Sequence, residues 1–472
     1  MLMTFIILIV IFSINSAAAE EISLTEVLER GLNNNLEIRE EKNKIASLER
    51  ELKTIRAQQG WQVEVSANYN ELVDEGNRKD SEGALSDTNN IRISSGGNTS
   101  LNINRRFDSG LSISQEAVYN DQEESDYGVI ISYPLFKGVP TESERSYYQK
   151  EQELLKAKNS LNSLIEDKIS SWVENHLQLL RLEQSRENAE LQYQIAKKTL
   201  SEKEELYQKQ QISESEFNNS KAEILDAENN YLELKNQYQN LLKSFKLELD
   251  LSKDVEIKIE HSKYLEQLKN ELHTYKNYNQ EELARAVLKS DYGLQSALIN
   301  LTLQEKQLEW FQNEGRADIN LSGSYNYSTE RSVVGVTFSY DLFDGGQREY
   351  NEKNLKENLK LAQSNLEKLK ENKIIALERQ LNTVDSAENS KKSAELKLEN
   401  AKRQFDLAQA QAESGLISPK NLKQQQLVFE QSKNNYQQTV DKLYIAELDL
   451  TMMFKNNFKE IYYEVLNDDQ KN

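Results

Sequence analysis

The chain has 472 residues, of which 37% are hydrophobic and 29% charged, with three prolines and no cysteine. This balance favours long helices with a narrow apolar seam over the thick cores of ordinary globular domains. A net charge of −20 argues against nucleic acid as a partner, because phosphate binding needs clustered Lys and Arg. Without cysteine there are no disulfides, thiolate metal sites or lipid-modified N-terminal Cys.

Residues 1–19 have the features of a signal peptide that is cleaved on export. An apolar core of about ten residues runs from Phe5 to Ile14, too short to span a bilayer comfortably. Ala17 to Ala19 then offer a small-residue cleavage site. No Lys or Arg precedes the apolar core, so an uncleaved anchor helix is the alternative. No later segment is an apolar run of membrane-spanning length, so we expect strands to make any membrane contact of the mature chain.

The mature chain is predicted to open with a helix that begins at a capping box, Ser23 to Glu26, and ends near Gln59. A strand follows, in which apolar residues alternate with polar ones over 63–70. This alternation is typical of a transmembrane barrel strand, and equally of a half-buried strand in a soluble sheet.

Two further segments precede the first long helix. Residues 71–100 are rich in Ser, Gly, Asn and Asp and are predicted to form a mobile loop. Residues 101–115 are predicted to form a β-hairpin, which either adds strands to a barrel or forms an external lid.

One short motif marks the change from strand to long helix, and it occurs twice, 207 residues apart. After each copy the apolar period changes from two to roughly three and a half. A second pair of segments, Val63–Asn70 and Ile319–Asn326, aligns without a gap. The chain is therefore a tandem duplication. The motif residues are Tyr133, Leu135, Phe136 and Gly138 in the first copy and Tyr340, Leu342, Phe343 and Gly345 in the second.

Each repeat ends in two long helices joined by a tight turn, predicted over 141–251 and 346–455. The turns are equivalent: Ile212-Ser213 in the first repeat matches Ile417-Ser418 in the second. We therefore divide the mature chain into a first repeat, 20–262, and a second repeat, 263–472. The strands carry many aromatic residues, which either form an interfacial girdle or reflect simple β-propensity.

Four strands, or six with the hairpin, fall short of the ~8 that make the smallest closed barrels. Open strand edges are not tolerated inside lipid. If these strands enter a membrane, several chains must share one barrel.

The duplicated layout, the two junctions, the opening segment Leu24–Leu28 and the Gly415–Ser418 turn resemble the TolC family of outer membrane factors. The resemblance implies a mainly α-helical fold with membrane strands, assembled as a homotrimer with a shared β-barrel in the outer membrane and an α-helical periplasmic tunnel. It implies a passive exit duct of a tripartite efflux pump or a type I secretion system, with no catalysis, cofactor or metal. Its partners would be outer membrane lipid, an inner-membrane transporter and a periplasmic adaptor protein. The adaptor would contact the helix tips, Ile212, Ser213, Gly415, Leu416, Ile417, Ser418 and Pro419.

The resemblance also directs attention to the periplasmic entrance. Well-known family members carry carboxylates six and nine residues after the tip glycine of the second repeat, where this chain has the neutral Asn421 and Gln424. In the first repeat Gln210 replaces the glycine, and Glu216 is the acidic residue at the matching position. Glu216 either supplies an acidic entrance ring or serves as the third residue of a capping box.

Two other classes of protein remain as alternatives. A periplasmic adaptor also places a helical hairpin between β segments, but it has one hairpin per chain whereas this sequence has two. A structural coiled-coil protein of the cell envelope would use the strands as a soluble joining module. The three histidines are scattered, and no phosphate loop or nucleophile arrangement is found, so an enzyme is not expected.

Overall fold

The computed structural model of the chain describes residues 20–75, 91–107, 109–120, 125–135, 140–251, 257–259, 272–314, 318–340 and 342–454. The predicted signal peptide, 1–19, lies outside the described residues. So do Phe136 and Gly138 of the first junction.

The described residues are mostly helical, with one large antiparallel sheet, as the sequence predicts. The helices are α1 Leu24–Asn34, α2 Leu36–Gln58, α3 Glu142–Gln208, α4 Glu214–Glu248, α5 Gln280–Ser290, α6 Tyr292–Asn313, α7 Gln347–Glu413 and α8 Pro419–Phe454. The strands are β1 Glu20–Ile22, β2 Gln62–Glu75, β3 Ile91–Arg106, β4 Ser112–Asn120, β5 Asp126–Pro134, β6 Ile257–Ile259, β7 Asp318–Asn326 and β8 Arg331–Ser339. Within the described part of the chain, no helix combines the length and the apolar character needed to cross a membrane.

The chain divides into two compact units. The helical unit comprises the residues up to Lys42, those from Asn159 to Gln295 and those from Lys368 onwards. The strand unit comprises Asn43–Lys158 and Ser296–Glu367. The long helices α3 and α7 therefore have residues in both units.

The helical unit buries its apolar side chains in two clusters. The larger one is built around Trp172, whose ring is fully buried among leucines and isoleucines of α1, α3 and α4. The smaller one joins α5, α7 and α8, with Leu377, Val384 and Leu450 at its centre. Leu366 and Leu377 are eleven residues apart, so the buried face of α7 shifts phase between them.

Polar contacts place α3 and α8 side by side and antiparallel. Ser170 donates to Asp449 at 2.6 Å at one end, and Lys420 lies 3.7 Å from Glu202 at the other. Between them, Arg181 and Asp441 form an ion pair at 2.6 Å whose side chains are only 7% and 13% exposed. The first helix of one hairpin thus packs along the last helix of the other.

The predicted single helix at the start of the first repeat is two helices, which corrects the sequence analysis, and the second repeat opens with two helices in the same way. The break lies at Asn35 in the first repeat and at Asp291 in the second. The Asn35 Oδ1 accepts a hydrogen bond from the Ile38 N–H at 3.2 Å, and the Asp291 Oδ1 accepts one from the Leu294 N–H at 2.7 Å. A side-chain oxygen that caps a new helix in this way ends the preceding one.

The sheet lies entirely in the strand unit, in the order β2-β3-β4-β5-β7-β8, and every neighbouring pair is antiparallel. The predicted loop over 71–100 is wrong at both ends, because β2 continues to Glu75 and β3 begins at Ile91. The predicted hairpin over 101–115 exists but is longer, and its strands lie inside the sheet between β2 and β5. Backbone pairing with β2 stabilises this polar, serine-rich segment as a strand despite its loop-like composition.

Candidate membrane face and helix tips

Residues directly opposite each other in antiparallel strands point to the same side of a sheet, and successive residues alternate between sides. Following the register from β2 to β8 therefore sorts the side chains into two faces. Over the residues whose side chains the structure describes, one face, called the apolar face, is mainly aliphatic and aromatic, and its strongly polar members are Thr99, Arg105, Gln115 and Ser332. It holds Val63, Val65, Ala67, Tyr69, Thr99, Leu101, Ile103, Arg105, Ile113, Gln115, Ala117, Tyr119, Tyr127, Val129, Ile131, Tyr133, Ile319, Leu321, Gly323, Tyr325, Ser332, Val334, Val336 and Phe338.

The opposite face, called the polar face, consists mainly of Asn and Ser. Across the first two strands Ser66 Oγ and Ser100 Oγ lie 2.7 Å apart and share a hydrogen bond. Its other polar members include Glu64, Asn68, Asn98, Asn102, Asn104, Ser112, Ser114, Glu116, Asp126, Ser132, Asn320, Ser322, Ser324, Arg331 and Thr337. The sheet therefore has one face suited to hydrocarbon and one suited to water.

The apolar face is exposed rather than buried. Val65 is 68% exposed, Val334 is 78% exposed and Phe338 is 64% exposed. Continuous exposed apolar surface of this extent marks a contact with a membrane or with another protein.

Apart from Tyr69, in the middle of β2, the aromatic side chains on the apolar face lie towards the ends of their strands. Tyr133 and Phe338 lie at the ends that lead into α3 and α7. Tyr119, Tyr127 and Tyr325 lie at the opposite ends of their strands. β-propensity explains why aromatic residues occur in strands, but it does not explain two rows on one face. The arrangement favours the interpretation as interfacial girdles.

The sheet has two open edges. β2 and β8 are the first and last strands, and neither has a pairing partner on its outer side within the described residues. Because six strands alternate in direction, β2 and β8 run antiparallel to each other. The two edges are thus matched for pairing with further copies of the same sheet.

The strand-to-helix junction of the second repeat carries the most exposed apolar residues of the strand unit, Leu342 at 92% and Phe343 at 90%. The Asp344 carboxylate accepts hydrogen bonds from the N–H groups of Gly346 at 3.0 Å and Arg348 at 2.9 Å, which caps α7 and lowers the pKa of Asp344. The other predicted junction residues that the structure describes, Tyr133, Leu135, Tyr340 and Gly345, are also exposed or half-buried.

The two hairpin tips have the same backbone hydrogen bonds, which cap the C-termini of α3 and α7. In the first tip the Gln211 N–H donates to the Leu206 carbonyl at 2.8 Å, and in the second the Leu416 N–H donates to the Gln411 carbonyl at 2.8 Å. Gln210 has a φ of 58° where its counterpart Gly415 has 70°. The predicted adaptor-contact residues are exposed at Ser213, Gly415, Leu416, Ser418 and Pro419 and half-buried at Ile212 and Ile417.

Glu216 forms the predicted capping box. Its carboxylate accepts a hydrogen bond from the Ser213 N–H at 3.2 Å, and its own N–H donates to Ser213 Oγ at 3.2 Å. Asn421 donates its N–H to Ser418 Oγ at 3.2 Å, while Gln424 is exposed. The role of these residues in an entrance ring stays a prediction.

The helical unit also holds partly buried carboxylates that the sequence analysis did not identify. Burial, with the neighbouring Asp167 and Asp291, raises the pKa of Glu166 to about 8. Burial likewise raises the pKa of Asp449. Asp291 pairs with Lys373 at 2.5 Å. Among the described residues, no group of His, Cys, Asp or Glu is arranged to hold a metal ion.

Comparison with known proteins relates this geometry to a family. Residues 283–454 match the family model described as outer membrane efflux protein. No curated protein matches the chain in sequence.

Three solved structures are similar over nearly the whole chain. CusC, whose crystal structures concern folding and transmembrane channel formation, has a TM-score of 0.62 at 9% identity. The match covers 93% of each chain. The Campylobacter jejuni CmeC outer membrane channel has a TM-score of 0.61 at 15% identity, covering 94% of this chain and 89% of its own. The Vibrio cholerae outer membrane protein VceC has a TM-score of 0.60 at 13% identity, covering 92% and 97%. The predicted resemblance is therefore confirmed: the chain has the fold of the TolC-like outer membrane factors, and residues 283–454 carry the sequence pattern of the outer membrane efflux proteins.

Proposed function

We propose that this protein is an outer membrane exit duct of a tripartite efflux pump or a type I secretion system. Three copies join their sheets edge to edge into one barrel, with the hairpin tips in the periplasm. The observation that carries the proposal is the apolar face, which extends across all six strands from β2 to β8 and whose described side chains are all exposed or half-buried.

The open edges explain why one copy is insufficient. An unpaired strand edge leaves backbone N–H and C=O groups without partners, and each costs several kcal/mol in hydrocarbon. Pairing β8 of one copy with β2 of the next satisfies these groups, since the two strands are antiparallel. Repeating that contact around three copies closes the barrel.

The polar face then lines an aqueous path. Its asparagines and serines bind water without imposing strong charge, and its few carboxylates, such as Glu64 and Glu116, are spread among them. Such a wall conducts passively and performs no chemistry. The driving energy comes from an inner-membrane transporter, which an adaptor protein couples to the exposed tips around Ser213 and Ser418.

The conductance of single-cysteine variants, measured before and after a thiol reagent reacts with the cysteine, tests this function. The natural chain lacks cysteine, so a charged thiol reagent reacts only at an introduced one. In planar bilayers we expect the reagent to reduce the conductance of Ser322→Cys, on the polar face of β7. The neighbouring Leu321→Cys, on the apolar face, is the matched control and keeps its conductance. A protein that forms no channel, or two variants that respond alike, would contradict the proposal.

A further inference from the structure

The β3–β4 hairpin breaks the symmetry between the two repeats. In the second repeat, β7 and β8 pair directly with each other. The corresponding strands of the first repeat, β2 and β5, do not touch, because β3 pairs with β2, β4 pairs with β5, and the hairpin fills the space between them. Among the described residues the large sheet therefore has six strands, where the duplication alone supplies four.

The hairpin follows the same two-face pattern as the four duplicated strands. Leu101, Ile103 and Ile113 belong to the apolar face, and Asn102 and Ser114 to the polar face. The exceptions are Arg105, next to the turn, and Gln115, both on the apolar face. A lid outside a barrel would be wetted on both sides and would need no such alternation. The alternation fits a strand pair that has lipid on one side and an aqueous lumen on the other.

Contacts at its turn fix the hairpin to both neighbouring strands. The Arg105 guanidinium lies 4.3 Å from the Phe107 ring centroid and 5.6 Å from that of Trp61, which precedes β2. On the other side Gly110, at a φ of 86°, lies so close to Pro134 of β5 that a Cβ would be 2.6 Å from the proline ring. The hairpin is thus fitted between β2 and β5.

We infer that the hairpin is part of the transmembrane wall, so that the trimeric barrel has eighteen strands instead of twelve. This inference rests on the proposed trimeric channel. The diameter of a barrel grows roughly linearly with strand number, so the lumen is about 1.5-fold wider than a twelve-stranded wall would enclose. Six strands per chain also keep the contact between copies antiparallel. The wider lumen admits bulky hydrophilic cargo.

Cysteine accessibility in liposomes tests whether the hairpin lies in the wall. Two hairpin variants, Leu101→Cys and Asn102→Cys, are compared with two β2 variants, Val65→Cys and Ser66→Cys. Val65 pairs with Leu101 across the strands, and Ser66 and Asn102 are each the next residue on the polar face, so the two pairs are matched in face and lie at similar depth. With a charged, membrane-impermeant maleimide we expect full labelling of the Asn102 and Ser66 variants and none of the Leu101 and Val65 variants. Each variant must keep the assembled mass of the parent chain.

The outcomes separate this inference from the proposed function. If both hairpin variants label while the β2 pair alternates, the hairpin lies outside the wall and the inference is wrong, but the channel stands. If the β2 pair also labels at both positions, the sheet is not in a membrane and the proposed function fails.

The exclusion of polymers from the channel gives an independent measure of the lumen diameter. Polyethylene glycols that enter the channel reduce its conductance, and the size at which this reduction is lost measures the lumen. We expect that size to fall by about 1.5-fold in diameter in a variant lacking 91–120, as strand number falls from eighteen to twelve. An unchanged size in an assembled deletion variant would overturn the inference. If the deletion variant does not assemble, the labelling result decides.

Discussion

The two units of the chain use the same apolar residue types in opposite ways. In the helical unit, Trp172 and many leucines and isoleucines are buried in two clusters, and exposed leucines such as Leu247 and Leu396 are scattered among polar side chains. In the strand unit, Val65, Val336 and Phe338 are each more than 60% exposed, and the polar residues occupy the other face of the sheet. Moving apolar surface out of water stabilises a fold, whereas apolar surface that contacts lipid is already out of water and need not be buried in the protein. The contrast fits the proposed channel, in which water surrounds the helical unit and lipid contacts only the apolar face of the sheet.

Charged substitutions on the apolar face should have the largest effect on the protein, because they place charge directly in the contact with lipid. We expect the double variant Val336→Lys and Phe338→Lys to abolish membrane assembly, because a Lys on the lipid face costs from about 0–1 kcal/mol near the interface, where Phe338 lies, up to about 2–4 kcal/mol at the midplane, and every copy carries both. Membrane fractionation measures the loss. Thr337→Lys, between them on the polar face, is the control and should assemble. Normal assembly of the double variant would contradict the lipid-facing assignment.

Removal of one partner of the buried ion pair in the helical unit should have the next largest effect, on stability. Asp441→Ala leaves Arg181 buried without its partner and should lower the free energy of unfolding by about 3–5 kcal/mol. Thermal unfolding followed by circular dichroism measures the change. Glu202→Ala removes the exposed pair with Lys420 and should cost less than about 1 kcal/mol. Equal effects of the two substitutions would show that burial does not distinguish these pairs.

The raised pKa of Glu166 predicts a pH dependence with a defined sign. Folding favours the protonated carboxyl, so its contribution to stability is complete below its ordinary pKa of 4.5 and is lost as pH rises towards about 8. Between pH 5 and about 8, we expect the Glu166→Gln variant to lose less stability than the parent chain, by on the order of 2 kcal/mol after allowing for the partial exposure of Glu166. Melting temperatures of both proteins across this pH range measure the difference. Asp449, whose pKa is also raised, retains part of the dependence. A parallel pH profile in the variant would contradict this prediction.

The first hairpin tip offers a smaller, stabilising change. Gln210 has a left-handed backbone conformation that costs a non-glycine residue about 1 kcal/mol. Gln210→Gly should therefore raise stability by about 1 kcal/mol, and Gly415→Gln in the other tip should lower it by a similar amount. Differential scanning calorimetry of both variants checks the pair. Shifts of the same sign would contradict the equivalence of the tips.

Features set by local sequence could be predicted. Both helical hairpins and the Ser213–Glu216 capping box follow from spacing along one segment. The helix breaks at Asn35 and Asp291 also had a signal that was missed. The two residues are related by the same spacing as the aligned strands, and Asn and Asp favour helix N-caps.

Features that depend on distant partners could not be predicted. A strand whose polar face meets water has the composition of a loop, so the extents of β2 and β3 were hidden until their pairing was known. The place of the hairpin in the sheet depends on two neighbours far apart in sequence. Arg181 and Glu166 look like ordinary charged helix residues, and only the packing of other helices against α3 buries them.

The mass of the purified mature protein, from light scattering corrected for bound detergent, tests most directly whether the exposed sheet belongs in lipid. We predict a trimer that stays in solution only with detergent. A monomer or dimer that is soluble without detergent would contradict the shared barrel and leave a coiled-coil protein of the cell envelope as the better description.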